Sequence, residues 1–281
     1  MTSAIEFVTI NWDGHPVSIE HQWIGAADDD APLMVFLHEG LGSLAMWKEF
    51  PLQLCASTGF RGLVYSRPGY GRSTPRADGE HWGTDFMHRQ AHALLPALLR
   101  ALRIDVSANP FWLCGHSDGG SIALLFAAGF PERVAGVIVL SPHIMVEEIT
   151  VTSIEQARAT YLETDLRQRL ARYHTNPDSA FWGWNDIWLR PEFRDWSIEE
   201  ELTGIRCPVL ALRGLDDEYG TLEQIRGIAR RVVQSEIVEL PDCGHSPHRD
   251  RPRELIRIAS RFVQDTIRAT TANEAGFSAN Y

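Results

Sequence analysis

Ser117 lies in a Gly-x-Ser-x-Gly motif, a pattern that places a nucleophilic serine at a sharp turn between a strand and a helix. Residues 115–120 read Gly-His-Ser-Asp-Gly-Gly, after an apolar run at 111–114 and before a helix-forming run at 122–128. Small residues allow the strand and the helix to pass closely, so that the serine projects over the sheet edge. The N–H of Asp118 lies in the first helical turn, has no intrahelical partner and is expected to bind an oxyanion.

A serine hydroxyl needs a base to remove its proton, and that base is usually an imidazole oriented by a carboxylate. The chain has 11 histidines, so position must select among them. His245 lies in the turn Asp-Cys-Gly-His-Ser-Pro at 242–247, between the last predicted strand and the last predicted helix. Open α/β sheets gather their sites in such loops, and Gly244 permits an unusual backbone there. We therefore predict His245 as the base, with His248 as the alternative.

The carboxylate that orients the imidazole is expected in the turn after the preceding strand. That turn, Gly-Leu-Asp-Asp-Glu at 214–218, contains three acidic residues. Asp217 is the first choice and Asp216 the second. The competing interpretation is that these acids only cap the helix predicted at 221–232 or face solvent.

A second oxyanion donor is predicted in the turn His-Glu-Gly-Leu-Gly-Ser at 38–43, which follows the apolar run at 32–37. Its glycines allow the backbone to approach Ser117, and Gly40 is the expected donor, with Leu41 as the alternative. The Glu39 side chain is not expected to take part in the reaction, because an anion aimed at an oxyanion opposes it. It could instead bind a polar or cationic group of a substrate.

Apolar runs typical of buried strands alternate along the chain with helical patterns. This alternation predicts a mostly parallel central sheet with helices on both faces. The predicted strands are two at 4–24 around a turn at 11–14, then 32–37, 62–66, 111–114, 134–140, 208–212 and 237–240. Besides the helix after Ser117, helices are predicted at 45–57, 84–103, 221–232 and 252–269.

The alternation stops between about 141 and 203, where four of the nine tryptophans lie and no strand pattern occurs. We predict a helical cap inserted over the carboxyl edge of the sheet. The predicted organisation is a first core part at 1–142, a cap at 143–203, a second core part at 204–270 and a disordered tail at 271–281. Large rings shape apolar ligand sites, although most of these aromatics are expected only to pack the cap. The residues predicted to line a substrate pocket are Glu39, His116, His143, Trp182, Trp184 and Trp188.

With these motifs in place, the chain resembles the α/β-hydrolase family across residues 4–270. The resemblance is carried in chain order by the segments 38–43, 66–73 (Ser-Arg-Pro-Gly-Tyr-Gly-Arg-Ser), 115–120, 214–217 (Gly-x-x-Asp) and 243–247 (Cys-Gly-His-Ser-Pro). It implies the α/β-hydrolase fold with a triad in the order Ser117, Asp217, His245. The Gly-x-x-Asp spacing also favours Asp217 over Asp216.

Two residues depart from the family pattern. Glu39 follows His38 where the family usually has His-Gly, and Asp118 stands where relatives often have an apolar residue such as methionine. Some relatives place the acid after the strand predicted here at 134–140, which makes Glu147 a reserve candidate.

The composition excludes several other classes of protein. A formal net charge of -11 without a basic cluster argues against a nucleic-acid partner, and no apolar run is long enough to span a membrane. No secretory signal is visible at 1–10, and the four scattered cysteines fit reduced thiols of a cytoplasmic protein. His88 and His92 have helical i, i+4 spacing, but no third ligand completes a metal site. No metal or organic cofactor is expected, and a homodimer remains open.

The sequence therefore predicts a serine hydrolase that cleaves a carboxylic ester or a lactone of a small, largely apolar molecule. One alternative is a C–C bond hydrolase of ring-opened aromatic metabolites, which Arg67, Arg190 or Arg194 in the pocket would favour. A second is an acyltransferase or perhydrolase, favoured by a dry pocket. A ligand-binding receptor on the same fold is the alternative outside enzymes.

Overall fold

A single sheet of eight strands organises the described residues, which in this computed structural model are 2–25, 30–105 and 109–278. The strands are β1 (Glu6–Trp12), β2 (His15–Ile24), β3 (Leu33–Leu37), β4 (Arg61–Tyr65), β5 (Phe111–His116), β6 (Val134–Leu140), β7 (Val209–Gly214) and β8 (Ser235–Leu240). Their spatial order is β1-β2-β4-β3-β5-β6-β7-β8. The β1–β2 and β2–β4 pairs are antiparallel, and all other pairs are parallel. The prediction of a mostly parallel sheet is confirmed.

Helices cover both faces of this sheet, as predicted. They are α1 (Phe50–Thr58), α2 (Phe86–Arg89), α3 (Leu95–Ala101), α4 (Asp118–Gly129), α5 (Glu148–Glu163), α6 (Leu166–Leu170), α7 (Pro177–Trp188), α8 (Glu223–Arg231), α9 (Pro247–Asp250) and α10 (Pro252–Ser278). A π-helical turn, Gln90–Leu94, joins α2 to α3. Short 3-10 turns occur at Leu44–Trp47, Pro131–Arg133, Pro191–Phe193 and Glu201–Gly204.

Alternate residues of the central strands enter two separate cores. In β3, Leu33, Val35 and Leu37 pack on the face that carries α2, α3, α4 and α8, whereas Met34 and Phe36 pack on the face of α1 and α10. All five side chains are buried, because successive residues of a strand point to opposite faces of the sheet. This two-sided burial explains why the strand reads as a continuous apolar run.

Two predicted helices are interrupted for identifiable reasons. The helix predicted at 45–57 is a 3-10 turn followed by α1, because Lys48 takes a φ of +54° and Pro51 begins a new helix in its first turn. The helix predicted at 84–103 contains the π-helical turn. Pro96 lacks an N–H, and its ring conflicts with the carbonyl of His92, so the turn before it widens.

The closing helix is longer than predicted. The expectation of a disordered tail is wrong for 271–278, because α10 continues to Ser278, while 279–281 lie outside the described residues. Residues 266–275 contain no glycine or proline, and the hydroxyls of Thr270 and Thr271 donate to the carbonyls of Thr266 and Ile267.

The predicted cap corresponds to α5, α6 and α7, which lie between β6 and β7 in the chain. Its two ends are joined by an isolated antiparallel bridge between Met145 and Ser197. The treatment of residues 143–203 as a separate unit stays a prediction. In the described part of the chain, no helix is both long enough and apolar enough to cross a membrane.

Candidate active site

Ser117 occupies the corner between β5 and α4 in a strained backbone conformation, with φ +51° and ψ -121°. Close packing explains the glycines on both sides. A Cβ built on Gly115 would lie 2.2 Å from the carbonyl oxygen of Gly119, and one on Gly119 would lie 2.1 Å from that of Leu37. These positions therefore require glycine, as the motif predicts, and the corner holds the serine at the carboxyl edge of the sheet.

His245 links Ser117 to Asp217 through both of its ring nitrogens. The Ser117 hydroxyl lies 2.9 Å from His245 Nε2, where it can donate a hydrogen bond, and His245 Nδ1 donates to Asp217 Oδ1 and Oδ2 at 2.8 and 3.0 Å. Asp217 Oδ1 also accepts from the N–H of Tyr219 at 2.9 Å, and Arg213 Nη1 lies 3.5 Å from Oδ2. The three predicted residues thus form a chain of contacts through His245, and the Tyr219 N–H and Arg213 hold the acid from two further sides.

The pKa values of this pair favour a neutral imidazole beside a charged carboxylate. Burial lowers the pKa of His245, and the hydrogen bond and charge of Asp217 reverse only part of that shift. Burial raises the pKa of Asp217, but the His245 hydrogen bond and the charges of His245 and Arg213 outweigh it and hold that pKa well below its usual value. At neutral pH the imidazole is therefore available to accept a proton.

The alternatives for base and acid lie in other environments. His248 is buried against the rings of Trp47 and Phe50, and burial lowers its pKa to about 3. Asp216 is exposed, and the reserve acid Glu147 accepts hydrogen bonds from Thr221 and Gln224. None of the three forms a hydrogen bond with His245 in the described structure.

The turn after β3 brings Gly40 and Leu41 to the same place as Ser117. His38 holds this turn, because its Nδ1–H donates to the Glu39 carbonyl at 2.7 Å while its Nε2 accepts from the Arg67 N–H at 3.0 Å. Within the described residues, the N–H groups of Gly40 and Leu41 have no hydrogen-bond acceptor, so both are free for a ligand. Which of the two amides would bind an oxyanion stays a prediction.

Asp118 is buried with two polar neighbours. Its Oδ1 accepts a hydrogen bond from Trp188 Nε1 at 3.2 Å, and Arg67 Nη2 lies 3.9 Å from Oδ2. Burial raises the pKa of Asp118 to about 6, against the opposing effects of Arg67 and Trp188. The side chain therefore ties α7 of the predicted cap to the first turn of α4.

A cavity of about 100 Å³ adjoins Ser117 and contains most of the predicted pocket residues. Five of the six line it: Glu39, His116, His143, Trp184 and Trp188. Trp182 does not, because it packs half-buried against Tyr161 and Phe181 on another side of α7. Ile154, Tyr219 and Ser246, which were not predicted, also line the cavity.

Helical spacing explains which tryptophans reach the cavity. Trp184 and Trp188 are four residues apart and share a face of α7, whereas Trp182 is only two residues from Trp184. Ile154 shows no comparable sign, because it lies on an amphipathic helix where buried aliphatic residues are ordinary core positions. The position of Tyr219, two residues after Asp217, is the sequence signal that could have identified it.

The arginines that a C–C hydrolase would use are engaged elsewhere. Arg67 is fully buried beside Asp118, Arg190 donates to the carbonyl of Trp82, and Arg194 pairs with Glu148. No arginine or lysine of the described residues lines the cavity at Ser117. A larger cavity of about 450 Å³, bordered by Trp12 and Trp82, contains none of the predicted catalytic residues.

His88 and His92 do not form a metal site in the described structure. Their rings lie 6.1 Å apart, His88 Nε2 lies 3.3 Å from Glu201, and His92 Nε2 lies 3.1 Å from the carbonyl of Leu125. No group of three or more metal-binding side chains occurs among the residues that the structure describes.

With this geometry established, comparison with known proteins identifies the family. The sequence model of the alpha/beta hydrolase family matches residues 34–258. The chain belongs to the α/β-hydrolase family. The match spans the Ser117, Asp217 and His245 turns together with the predicted cap between them.

Similar proteins of this family include hydrolases of different bonds. The chain is 24% identical over 280 residues to an sn-1-specific diacylglycerol lipase of Mus musculus, covering 90% of this chain and 87% of that one. It is also 24% identical over 285 residues to a 2-hydroxy-6-oxo-6-phenylhexa-2,4-dienoate hydrolase of Burkholderia cepacia, covering 92% and 96%. The enol-lactonase structure from Burkholderia xenovorans LB400 superposes with a TM-score of 0.70 at 21% identity, covering 91% of this chain and 99% of that one.

Glu39, the first departure from the family pattern, lies between His116 and Arg249 at the edge of the cavity. Its Oε2 is 3.5 Å from His116 Nδ1, its Oε1 is 3.5 Å from Arg249 Nη2, and its side chain is 15% exposed. His116 Nε2 donates in turn to the backbone carbonyl of His245 at 2.7 Å. Burial raises the pKa of Glu39, but the neighbouring imidazoles, His116 first and then His248 and His38, outweigh it and keep that pKa well below its usual value. A charged Glu39 thereby supports the turn that presents His245.

Proposed function

We propose that this α/β hydrolase is a serine hydrolase that cleaves a carboxylic ester or a lactone of a small, largely apolar molecule. The observation that carries the proposal is the 2.9 Å contact between Ser117 Oγ and His245 Nε2, with Nδ1 of the same ring bonded to Asp217. This arrangement activates a hydroxyl at neutral pH. The ester or lactone class is supported by the similarity to a diacylglycerol lipase and by the structural likeness to an enol-lactonase.

In the first half of the proposed reaction, Ser117 becomes acylated. Its Oγ bonds to the substrate carbonyl carbon while the hydroxyl proton moves to His245 Nε2. Asp217 stabilises the resulting imidazolium. The N–H groups of Asp118 and Gly40, or Leu41 in place of Gly40, donate to the oxyanion. The bond to the alcohol oxygen then breaks, and that oxygen takes the proton from His245.

In the second half, water releases the acid. His245 Nε2 removes a proton from the water, whose oxygen bonds to the acyl carbon, and the same amides stabilise the second oxyanion. The bond between the acyl carbon and Ser117 Oγ breaks. The proton on His245 returns to the serine, which restores the starting state.

A C–C bond hydrolase of dienoates is less well supported, despite the similarity to a protein named for that activity. A dienoate carries a carboxylate that needs a cationic partner, and the charged carboxyl side chains at this cavity are those of Glu39 and Asp118. Arg67 is matched with Asp118 and lies outside the cavity lining. Neutral esters avoid this conflict.

The test is hydrolysis of p-nitrophenyl esters of different acyl length by the wild type and by Ser117→Ala. We expect the variant to lose at least about a thousandfold in kcat, because the nucleophile is gone. Labelling by a fluorophosphonate, followed by peptide mass spectrometry, should modify Ser117 in the wild type. Equal rates in both proteins, or labelling of a different serine, would refute the proposal.

Two additions to this experiment, an acyl acceptor and a ligand-binding measurement, separate the remaining alternatives. Acyl transfer to an added alcohol or peroxide at a rate above hydrolysis would assign an acyltransferase or perhydrolase on the same three residues. Saturable ligand binding without turnover or labelling would assign a receptor.

For location we propose the cytoplasm, because all four cysteines are buried free thiols.

A further inference from the structure

The cavity beside Ser117 is small for a substrate site. Its volume is about 100 Å³, and a protein cavity of about 150 Å³ holds one benzene molecule. By that comparison it has room for about four non-hydrogen atoms. The cavity is partly open, so part of a substrate can extend outward, and only the part seated beside Ser117 inside the cavity is limited in size.

Trp184 closes the cavity over the turn that carries Gly40. A Cβ built on Gly40 would lie 2.2 Å from Trp184 Cδ1 and 2.3 Å from Nε1, so the indole rests directly on this glycine. Trp184 itself is only 6% exposed. Any acyl group whose carbonyl oxygen points to the amide of Gly40 therefore lies beside this indole.

The second tryptophan of the cavity is held much more firmly. Trp188 donates to Asp118, and its ring contacts those of His143, Phe193 and Trp196. Among the residues that the structure describes, Trp184 has a single aromatic contact, with Phe181 at 5.9 Å. Removal of the Trp184 side chain would therefore enlarge the cavity and keep the hydrogen bond between Trp188 and Asp118.

We propose that Trp184 determines the acyl specificity of the enzyme, limiting it to esters of short-chain acids with acyl groups of about two to four carbons. The inference rests on the proposed function, since it assigns the acyl group to this cavity. The acyl group is the part retained on Ser117 in the intermediate, and it is therefore the part that the indole restricts.

The experiment compares p-nitrophenyl acetate, butyrate, hexanoate and octanoate as substrates of the wild type and Trp184→Ala. In the wild type we expect kcat/KM to fall at least about tenfold from butyrate to hexanoate, because the added methylenes exceed the space. Trp184→Ala should abolish that fall. Trp182→Ala is the matched control, since it removes the same side chain from the same helix outside the cavity.

Two results would overturn the assignment. One is a wild type that hydrolyses octanoate as efficiently as acetate. The other is a chain-length profile that changes equally, or not at all, in Trp184→Ala and Trp182→Ala. The first result would show that the cavity does not restrict the acyl group, and the second that Trp184 does not set the limit.

A binding measurement separates the size limit from the chemistry. Neutral carboxamides of two to eight carbons are added to Ser117→Ala, and binding is followed by saturation-transfer NMR. We expect butyramide to bind, and hexanamide to bind only after Trp184→Ala is added to the same chain. That pattern without ester turnover would leave the size limit standing and the proposed function refuted. Equal binding of hexanamide and butyramide to Ser117→Ala would refute the size limit whatever the esters show.

Discussion

The indole N–H of Trp188 donates a hydrogen bond to Oδ1 of Asp118 at 3.2 Å, and both side chains are buried. Asp118 follows Ser117 directly, and its N–H is one of the two proposed oxyanion donors. Trp188 is the last residue of α7 in the predicted cap. One buried hydrogen bond therefore connects the element that shapes the cavity with the turn that presents the nucleophile.

Trp188→Phe tests this connection. Removing the N–H leaves a buried carboxylate oxygen without its donor, and we expect a loss of about 1–3 kcal/mol in the free energy of unfolding. The donor stabilises the charged form of Asp118, whose pKa is about 6. The loss should therefore be larger at pH 7.5 than at pH 5, where the carboxyl is protonated. Urea denaturation at both pH values measures it.

Trp196→Phe is the matched control for this prediction. Trp196 packs in the same aromatic cluster, but its buried Nε1 has no hydrogen-bond partner among the described residues. Its replacement should destabilise the fold to the same extent at both pH values. A loss for Trp188→Phe that is equally independent of pH would show that packing, and not the bond to Asp118, holds α7 in place.

Asp217→Asn tests the choice of acid. The amide cannot stabilise an imidazolium and favours the wrong tautomer of His245, so we expect kcat to fall by about 10⁴-fold. Asp216→Asn and Glu147→Gln should each retain kcat within about twofold, because neither side chain contacts His245. Steady-state kinetics on one ester decides it. A larger loss in Glu147→Gln than in Asp217→Asn would move the acid to the reserve position.

Much of the fold could be predicted because its signals are local. The continuous apolar run of β3 reflects burial on both faces. Gly115 and Gly119 are required because a Cβ built on either would lie 2.2 Å or less from a backbone oxygen. The order of the Ser117, Asp217 and His245 turns also followed from the sequence, and the structure brings these residues into contact. Their action as a catalytic triad is the proposal that the kinetic experiments test.

The remaining features depend on contacts between distant parts of the chain. Nothing in the sequence pairs Trp188 with Asp118, which are 70 residues apart, or places Ile154 beside the cavity. The wrong assignment of Trp182 to the pocket could have been avoided from the sequence. The four-residue spacing of Trp184 and Trp188 already indicated which face of α7 turns toward the cavity. The π-helical turn at Gln90–Leu94 also had a local cause, Pro96, that the helical pattern concealed.

The pH dependence of kcat/KM should show the shifted pKa of His245. The reaction requires the neutral imidazole, and burial lowers the pKa of that group. We expect activity to rise with pH through a pKa below 6.5 and to be constant from about pH 7 upward. The dependence of kcat/KM on pH, measured with a neutral ester, gives the apparent pKa of this rise. An apparent pKa at or above 6.5 would contradict the described environment of the ring.

Arg213→Met should move the rise of kcat/KM with pH to higher pH. The buried guanidinium lies 3.5 Å from Asp217, and its positive charge helps to lower the pKa of His245. Its removal should raise that pKa and cost about 3–5 kcal/mol of stability, because the buried carboxylate loses a partner. Arg213→Lys keeps the charge and should restore the profile. An unchanged apparent pKa of this rise in Arg213→Met would show that the charge of Arg213 does not act on His245 and that the residue has only a structural role.

Gly40→Ala tests the contact between the proposed oxyanion turn and the cap. The new Cβ would lie 2.2 Å from Trp184, and the three nearest atoms all belong to that indole. We expect the strain to cost about 1–3 kcal/mol in stability and to displace the Gly40 amide, lowering kcat. In the double variant Gly40→Ala/Trp184→Ala the clash is absent, so the two changes should not be additive. Urea denaturation and ester kinetics are measured on the wild type, the two single variants and the double variant, which together form a double-mutant cycle. Additive losses would mean that the indole and the glycine are not in contact in the working enzyme.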